Sequence, residues 1–558
     1  MSEQTTGTGK VPAHVRSELV CDPKAKSLVE VLRKAAAERP DAVYLNLLDS
    51  ANKPKELTFR AVLEGAERWA RWLVSKKVER GSRIAVLLPT GEDFLFAFFG
   101  AQMAGATPVP LAFPLALGNH EPYVLSLSKI VASASPKMFV TVPNLEAPAR
   151  KLLEGIPGCE LFLPTQVGEA PAASFPEVRE DDVALVQYAS GRVHAPTGAV
   201  LTHRQVLSNV FGLGTALKLT ADDVALTWVP LVHDMGLIGG LFTSLYWRCP
   251  LVVMPPQTFL MHPYLWLKNI TQFKVTLAAA PNAGYQLCVK RVQERHLKDL
   301  DLSRWRLALN GAETVHPSTV QAFCEKFAGV GFNPKAMFPT YGLAENTLAT
   351  ACPSQDLPYQ TEQLEGGIPV ASLGGPLAGQ ELAVVDGSDA VVGERVEGEV
   401  VVRGPCVMSG YLGNEDATRH AIDEKGWLHT GDLGFITGGR LCLTGRKKDM
   451  VIKMGRNYYP SDVEGLLASF PRLAGGKTLA FAAANLVEGT EDLILLVESD
   501  PLDEAARKSL TTELNAEMLG KIGIRADKVV TVAKGALGSL DRAGRAELRR
   551  RYLEGQLP

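Results

Sequence analysis

The stretch RIAVLL at residues 83–88 decides the fold, together with the apolar segment 92–103 and TPVPL at residues 107–111 that follow it. The first and last pieces are short apolar runs typical of buried strands, whereas the longer piece between them has the length of a helix. Because parallel strands need a long crossover connection, a strand, a helix and a second strand in this order predict a parallel unit. The stretch therefore predicts an α/β architecture.

The same style continues along the chain, with apolar strand-like runs at residues 183–188, 251–254, 275–278 and 308–310. Around residues 397–403 the pattern changes to short strands separated by turns, which indicates a smaller β-rich subdomain. Past Arg446 the sequence is that of a compact α+β segment.

A chain of 558 residues is too long for one ordinary core, so we expect more than one domain. The first part, residues 1–20, is polar and is predicted to be a flexible leader. Residues 21–447 are predicted to form a large N-terminal domain of stacked α/β sheets with the β-rich subdomain. Residues 448–558 are predicted to form a small, mobile α+β domain.

The composition excludes several classes of protein. There are 58 basic and 61 acidic side chains, and this balance argues against a nucleic-acid partner. The N-terminus lacks the apolar core of a signal peptide, and no apolar run of about 18 residues predicts membrane insertion. The eight cysteines are scattered without a CxxC pair, which fits a reducing cytoplasm.

Seven motifs carry the chemistry. They are WVPLVHDMGL at 228–237, PNAGYQLC at 281–288, NGAE at 310–313, YGLAENT at 341–347, WLHTGDLG at 427–434, TGRKKD at 444–449 and MGRNYYPSDVE at 454–464. Glycines let the backbone approach a planar base, and a carboxylate beside a hydroxyl suits a hard cation. In this order the motifs resemble those of the acyl-adenylate-forming superfamily of AMP-dependent synthetases and ligases. They are most similar to those of the fatty acyl-AMP ligases, from about residue 81 to residue 553.

The resemblance implies a role for each matching residue. The nucleotide would be held by residues at the adenine and the ribose: Gly311, Ala312, Glu313, Tyr341, Asp432 and Arg446. Glu345 would help to hold magnesium, and Lys448 would be the hinge of the C-terminal domain. His233 would lie beside the acyl carboxylate and is a candidate catalytic residue.

The acyl pocket predicted from the resemblance contains Met235, Ala283 and Gly284. The family usually has phenylalanine and alanine at the last two positions. The loss of an aromatic ring there predicts a wider acyl tunnel, although an ordinary apolar helix start is an equal alternative.

The phosphate loop departs from the family pattern YTSGSTGxPKGV, since residues 188–200 read YASGRVHAPTGAV. Ser190 and Gly191 remain, but Arg192 replaces a hydroxyl residue and Thr197 replaces the lysine. His194 stands where the family has glycine, and it would block the close approach of a phosphate. His194 is also a candidate proton-transfer residue, because histidine titrates near neutral pH.

The C-terminal end departs as well. The family's catalytic lysine follows a glycine, and here Gly544 is followed by Arg545, which keeps the charge but has a planar fork. We therefore expect the protein to bind AMP or an acyl adenylate, and the altered residues argue against the use of Mg²⁺ and ATP.

Three functions remain open from the sequence. The favoured one is ATP-independent chemistry on a fatty or polyketide acyl group linked to the phosphopantetheine arm of an acyl carrier protein, by hydrolysis, cyclisation, elimination or transfer. The second is ATP-dependent fatty acyl-AMP ligation that loads a carrier protein. The third is a non-catalytic subunit that binds the carrier protein. All three imply a place in polyketide or lipid biosynthesis, as part of secondary metabolism.

Overall fold

The computed structural model describes residues 11–114, 121–188, 196–354, 358–365, 369–447, 450–468, 470–473, 476–538, 540 and 542–557. The predicted class is confirmed: a large α/β domain carries a β-rich subdomain and is followed by a small α+β domain.

The large domain is built on a central sheet of seven strands. In spatial order they are Met337–Pro339, Leu307–Asn310, Leu277–Ala280, Ala225–Thr227, Leu251–Val253, Val43–Leu48 and Pro54–Thr58. All neighbours are parallel except the last pair, which forms an antiparallel hairpin. Ligands of such sheets bind outside the carboxyl ends of the strands, which is where the motifs NGAE and WVPLVHDMGL follow their strands.

A second parallel sheet contains the stretch that predicted the fold. Its strands, in spatial order, are Thr107–Pro110, Arg83–Leu87, Met138–Thr141 and Glu160–Phe162. The helix Glu92–Met103 connects two of them, as predicted, and is buried on nearly all sides because it packs between layers.

The strand Val183–Tyr188 differs from the expectation of a parallel pair, since it pairs antiparallel with Gly198–Thr202. The connection between them is too short for the crossover that a parallel pair requires. The two strands carry the ends of the phosphate-loop motif, Tyr188 and residues 198–200, whereas residues 189–195 lie outside the described residues.

The β-rich subdomain is an antiparallel sheet of five strands. They are His14–Arg16, Glu381–Val385, Gly398–Arg403, Leu428–Thr437 and Arg440–Arg446. The strand His14–Arg16 contradicts the prediction of a flexible leader over residues 1–20. Backbone pairing with residues 381–383 holds residues 14–16 at the edge of the sheet. Ala13 is fully buried beside it.

Short strands complete the large domain. They are Tyr341–Gly342 with Ala349–Cys352 and Gly375–Pro376, and Thr361–Glu362 with Val370–Ala371.

The small domain contains a hairpin, which we call the C-terminal hairpin, of Val451–Lys453 and Arg456–Tyr458. Its sheet has three strands, Thr478–Asn485, Thr490–Ser499 and Lys528–Ala533. Its hydrophobic clusters draw only on residues beyond 450, separate from those of the large domain. The predicted boundary at residue 448 lies between the two sets.

The α-helices cover the sheets. They are Leu28–Glu38, Phe59–Ser75, Glu92–Met103, Glu121–Ser126, Ser128–Ala134, Glu146–Leu153, His203–Ala216, Thr243–Trp247, Pro256–Met261, Tyr264–Gln272, Asn282–Arg291, Glu294–Leu297, Pro317–Phe327, Glu415–Ala421, Pro460–Leu467, Glu504–Ile522 and Arg542–Leu553, with a π-helix at Met235–Phe242. None of the helices in the described part of the chain has the length and apolar character needed to cross a bilayer.

Candidate active site

A cavity of about 1810 Å³ lies where the large domain, its β-rich subdomain and the small domain meet. Nine of the residues singled out from the sequence line it: His233, Met235, Gly311, Ala312, Glu313, Tyr341, Glu345, Asp432 and Arg446. Four others are described but are not part of its wall: Thr197, Ala283, Gly284 and Arg545. Five lie outside the described residues: Ser190, Gly191, Arg192, His194 and Lys448. The structure thus brings residues of five separate motifs to one cavity.

A buried carboxylate organises one wall of the cavity. Asp432 and Arg446 are direct cross-strand partners in the β-rich sheet, and Arg446 Nε lies 2.9 Å from Asp432 Oδ1. Tyr341 Oη donates a 2.6 Å hydrogen bond to Asp432 Oδ2, and burial raises the pKa of this phenol well above its usual range. A carboxylate has about four lone-pair sites, so this one can still accept hydrogen bonds from neighbouring hydroxyl groups. The wall therefore fits the ribose of an adenosine.

The replacement Asp432→Asn is expected to weaken AMP binding by about 10- to 100-fold, because hydrogen bonds to a charged group contribute about 1.5–3 kcal/mol. Isothermal titration calorimetry with AMP measures the change. Asp386→Asn is the control, since Asp386 accepts hydrogen bonds only within its own exposed turn. Equal AMP affinity for Asp432→Asn and the native protein would exclude Asp432 from the nucleotide site.

The turn that follows the strand Leu307–Asn310 forms a second wall. Ala312 has φ +65°, in the left-handed region that residues with a side chain rarely adopt. This conformation turns the chain sharply and leaves Gly311 and Ala312 against the cavity. Such a flat, small-residue surface fits a planar base.

Glu345, the predicted magnesium ligand, lies in the turn Ala344–Asn346 and its Oε1 accepts a 2.7 Å hydrogen bond from Tyr411 Oη. Within the part of the chain that the structure describes, no group of three or more histidine, cysteine or acidic residues could hold a metal. A Mg²⁺ ion at Glu345 would therefore depend on phosphate oxygens and water for its other ligands.

His233 lies at the junction of the two domains. Its Nε2 is 3.0 Å from the carbonyl oxygen of Gly455 in the C-terminal hairpin, and a carbonyl only accepts, so Nε2 carries a proton. Its Nδ1 lies 2.7 Å from Asp234 Oδ1 and 3.2 Å from Met235 N. Burial opposes protonation of His233, but Asp234 outweighs it and the pKa of His233 is raised overall. The imidazole thus contacts both domains, and the carboxylate of Asp234 raises its pKa.

Gly455 can make this contact because of its conformation. Its φ is +74°, and a Cβ at this position would lie 2.9 Å from Pro281 Cγ. Only glycine fits both the left-handed turn and the close approach to the large domain.

Ala283 and Gly284, where the sequence predicts a wider acyl tunnel, are not among the residues that line the cavity. Both residues are buried in the helix Asn282–Arg291 and face protein, since a Cβ at Gly284 would lie 2.9 Å from Trp228 Cζ2. The Trp228 ring fills this space and stacks on Phe259 with ring centroids 3.9 Å apart. The Trp228 ring itself lines the cavity.

The structure places Arg545 inside the small domain. Both its terminal nitrogens contact the carboxylate of Glu464, at 2.8 and 2.6 Å, and its Nε donates to Leu540 O. Bidentate pairs of this kind are strong and specific. In this conformation Arg545 therefore does not lie at the reaction centre, where the sequence predicted it.

Thr197, at the position of the family's phosphate-loop lysine, is only 6% exposed, and its hydroxyl has no hydrogen-bond partner among the described residues. Its side chain carries no positive charge that could replace that of the lysine. The described residues thus fit the adenosine part of a nucleotide better than its outer phosphates.

Sequence reasoning missed other charged residues of the cavity. Glu399 accepts from Lys447 Nζ at 2.8 Å and from Gly431 N at 3.1 Å; burial opposes ionisation, but Lys447 and these contacts hold the pKa of Glu399 below its usual value. Arg456 follows Gly455 and lies near Tyr123, from a distant helix. The sequence signal for Arg456 was its place in the motif MGRNYY, whereas Glu399 and Tyr123 lie in no motif.

Known proteins resemble this chain over most of its length. The sequence profile of the AMP-binding enzyme family matches residues 32–412. A putative acyl-CoA synthetase of Caulobacter vibrioides is 33% identical, over 87% of this chain and 88% of that protein. The medium-chain-fatty-acid–[acyl-carrier-protein] ligase JamA of Moorena producens is 30% identical, over 96% of both chains.

A solved structure from a study of fatty acyl-adenylate ligases of E. coli and L. pneumophila superposes with a TM-score of 0.75 at 30% identity, covering 96% of this chain and 99% of that chain. The extent of these matches establishes the family and agrees with the resemblance to fatty acyl-AMP ligases. The chain belongs to the family of AMP-binding enzymes, and its likeness is to the ligases that act on fatty acids.

Proposed function

We propose that the protein transfers a fatty or polyketide acyl group to the phosphopantetheine thiol of an acyl carrier protein, without first activating the acid with ATP. One observation carries this proposal: Arg545 is engaged by Glu464 outside the cavity, while Asp432, Arg446 and Tyr341 still line it. Thr197 supports the same conclusion, because it carries no charge where the family has a lysine and its hydroxyl is buried.

The cavity supports an acyl substrate because much of its lining is apolar. The apolar lining includes leucines of the sheet and of the elements packed on it: Leu213, Leu226, Leu251, Leu277, Leu309 and Leu348. Each buried methylene contributes about 0.8 kcal/mol, so a chain of several carbons would bind there without any polar contact. The volume exceeds the roughly 300–1000 Å³ of ordinary ligand pockets, and leaves room for a second group.

The second group would be AMP or the adenosine part of an adenylate at Asp432, as a bound ligand. This chain's residues would orient the AMP through Asp432, Arg446 and Tyr341, and the leucines would hold the acyl chain.

In the transfer, the carrier thiol sulfur forms a bond to the acyl carbon while the bond from that carbon to the donor's thiol sulfur breaks. The proton of the attacking thiol passes to the departing thiolate, so the reaction balances without an oxidant or reductant. His233 is the candidate group for moving this proton, because its imidazole lies in the cavity wall and is tuned by Asp234. Its Nε2 becomes available when the C-terminal hairpin moves away.

A carrier protein is supported as the partner by the Moorena relative, whose name records ligation to an acyl carrier protein. The scattered cysteines support a cytoplasmic location, and the fatty-acid ligases among the relatives support a place in lipid or polyketide biosynthesis.

A second candidate is ATP-dependent ligation of a fatty acid to the carrier protein. The intact Asp432–Arg446 pair favours it, together with the fatty-acid ligases among the relatives. In that case positive charge at the phosphates would come from the cavity residues Arg456 and Arg549 of the small domain.

The test is transfer without nucleotide. The protein is mixed with acyl-pantetheine thioesters of medium and long chains and a panel of holo acyl carrier proteins, and intact-protein mass spectrometry follows the carrier. We expect acylated carrier in the absence of ATP. Acylation that requires Mg-ATP and free fatty acid would overturn the proposal in favour of the second candidate.

A further inference from the structure

A turn of the small domain sits on one face of a large-domain helix. The turn, residues 485–490, joins the strands Thr478–Asn485 and Thr490–Ser499, and we call it the docking turn. Asn282 Nδ2 donates to Gly489 O at 2.6 Å, Gln286 Nε2 donates to Val487 O at 2.9 Å, and Lys290 forms an ion pair with Glu488. Because these three helix residues are four apart, they share one face of the helix.

A buried carboxylate of the large domain reinforces this contact. Glu313 Oε2 accepts from Thr490 Oγ1 at 3.0 Å and lies 3.4 Å from Gly455 N, so it reaches the docking turn and the C-terminal hairpin together. Its Oε1 accepts from Ala283 N at 2.5 Å, in the first turn of the same helix. One side chain thereby links three segments.

Asn282 is set in place by the large domain. It is fully buried, and its Oδ1 accepts from Asn310 Nδ2 at 3.3 Å and from His316 N at 3.2 Å. These bonds fix the orientation of the amide and direct its Nδ2 to the carbonyl of Gly489. A buried donor aimed at a second domain is satisfied best when that domain is docked.

We propose that Asn282, Gln286, Lys290 and Glu313 form a receptor for the docking turn and hold the small domain over the cavity. They are positioning residues for the acyl transfer proposed above, on which this inference rests. Docking brings the carbonyl of Gly455 to His233, so the receptor controls when that imidazole is engaged and when it is released.

Glu313 makes the docking sensitive to pH. Burial raises its pKa to about 7, with Glu491 on the adjoining strand adding to the effect, from an ordinary value of 4.5. Other titratable groups of the surrounding elements are His316, His233 and the Lys290–Glu488 pair. A protonated Glu313 can donate to Thr490 Oγ1, whose hydroxyl can donate to Ile452 O at 3.2 Å.

The direction of the pH dependence of docking follows from the raised pKa of Glu313. Docking is favoured while Glu313 is protonated and weakens as the pH rises through the docked value of about 7.

The Lys290–Glu488 pair offers a direct readout of docking. Zero-length carbodiimide coupling joins the two side chains by an amide, and mass spectrometry of the digest measures the product. The Lys55–Glu92 pair, which lies within the large domain, is coupled in the same sample and normalises the yield. This measurement needs no turnover, so it is independent of whether the proposed function is correct.

The replacement Asn282→Asp keeps the acceptor for Asn310 and His316 but sets a carboxylate oxygen against Gly489 O. We expect the normalised coupling to fall at least fivefold at pH 7. Asn414→Asp is the matched control, because aspartate serves equally as the helix cap that Asn414 provides to Ala417 N. Coupling of Asn282→Asp equal to that of the control would overturn the receptor.

If Asn282→Asp does not fold, Thr490→Val provides the same test, since it removes the small domain's hydroxyl and keeps the shape of the side chain. Unchanged coupling in Thr490→Val would again count against the receptor.

Glu313→Gln mimics the protonated carboxyl, because its amide oxygen can accept from Ala283 N and its NH₂ can donate to Thr490. We expect native coupling to fall between pH 5.5 and 7.5 and that of Glu313→Gln to stay constant. An equal fall in both would exclude Glu313 as the titrating group.

Discussion

Incubation of the native protein with Mg-ATP and fatty acids is expected to yield no acyl adenylate, whereas a triple replacement restores its formation. The replacements are Thr197→Lys, His194→Gly and Arg545→Lys. We expect the variant to exceed the native protein at least 100-fold, since one well-placed group that stabilises transition-state charge contributes about 10²- to 10³-fold. Mass spectrometry of acyl-AMP over a panel of medium and long chains measures the difference.

The structure gives two physical reasons for this expectation. Thr197 supplies no charge, and a lysine there would add charge-assisted bonds to phosphate oxygens. Arg545 is tied to Glu464 by two bonds, and a lysine cannot reproduce this planar, bidentate pairing, so the segment is released.

Thr197→Met in place of Thr197→Lys is the control, because it adds length without charge. Restoration by the methionine variant would show that charge at residue 197 is irrelevant. Formation of acyl adenylate by the native protein at the rate of the triple variant would contradict the prediction outright.

Removal of the imidazole in His233→Ala is expected to lower nucleotide-free acyl transfer by at least 100-fold, because general acid–base catalysis contributes about 10²- to 10⁴-fold. His233→Gln is the companion variant, since it keeps an N–H that can donate to Gly455 O but cannot move a proton. Initial rates of carrier acylation distinguish between proton transfer and domain docking as the role of His233. Low rates in both variants assign proton transfer to His233, and recovery in His233→Gln would assign it only a docking role.

The pKa of His233 also predicts how the transfer rate depends on pH. Asp234 raises the pKa of His233 above its ordinary value of 6.5, and the neutral imidazole is needed to accept the thiol proton. The transfer rate should therefore rise with pH through a midpoint above 6.5. Asp234→Asn removes the charge that raises the pKa, so its midpoint should move to lower pH. If the midpoint of Asp234→Asn does not move, the pH dependence of the transfer rate does not come from His233.

The fold was predictable because it depends on local patterns. The strand Arg83–Leu87 and the helix Glu92–Met103 follow the expected bounds closely, since burial on both faces of a parallel strand requires a continuous apolar run. The antiparallel hairpin at Val183–Tyr188 was not foreseen. The apolar content of a strand carries no information about the direction of its neighbour.

The candidate site was predictable where its residues lie in recognisable motifs. Asp432 and Arg446 lie in separate motifs, and their pairing across two strands agrees with a shared site. Glu399 and Tyr123 were missed because neither lies in a motif, and their places in the cavity depend on how distant elements pack.

The sequence by itself determined the α/β class, the family and the motif residues Asp432, Arg446 and Tyr341 that line the cavity, because these follow from local hydrophobic patterns and from motifs of fixed spacing. Only the tertiary structure decided three other points. Trp228 fills the space beside Gly284, Glu464 holds Arg545 away from the cavity, and Asn282 with Glu313 receives the small domain. Each depends on contacts between residues far apart in the chain, where the side chain that competes for a space or a charge is set by the packing of domains.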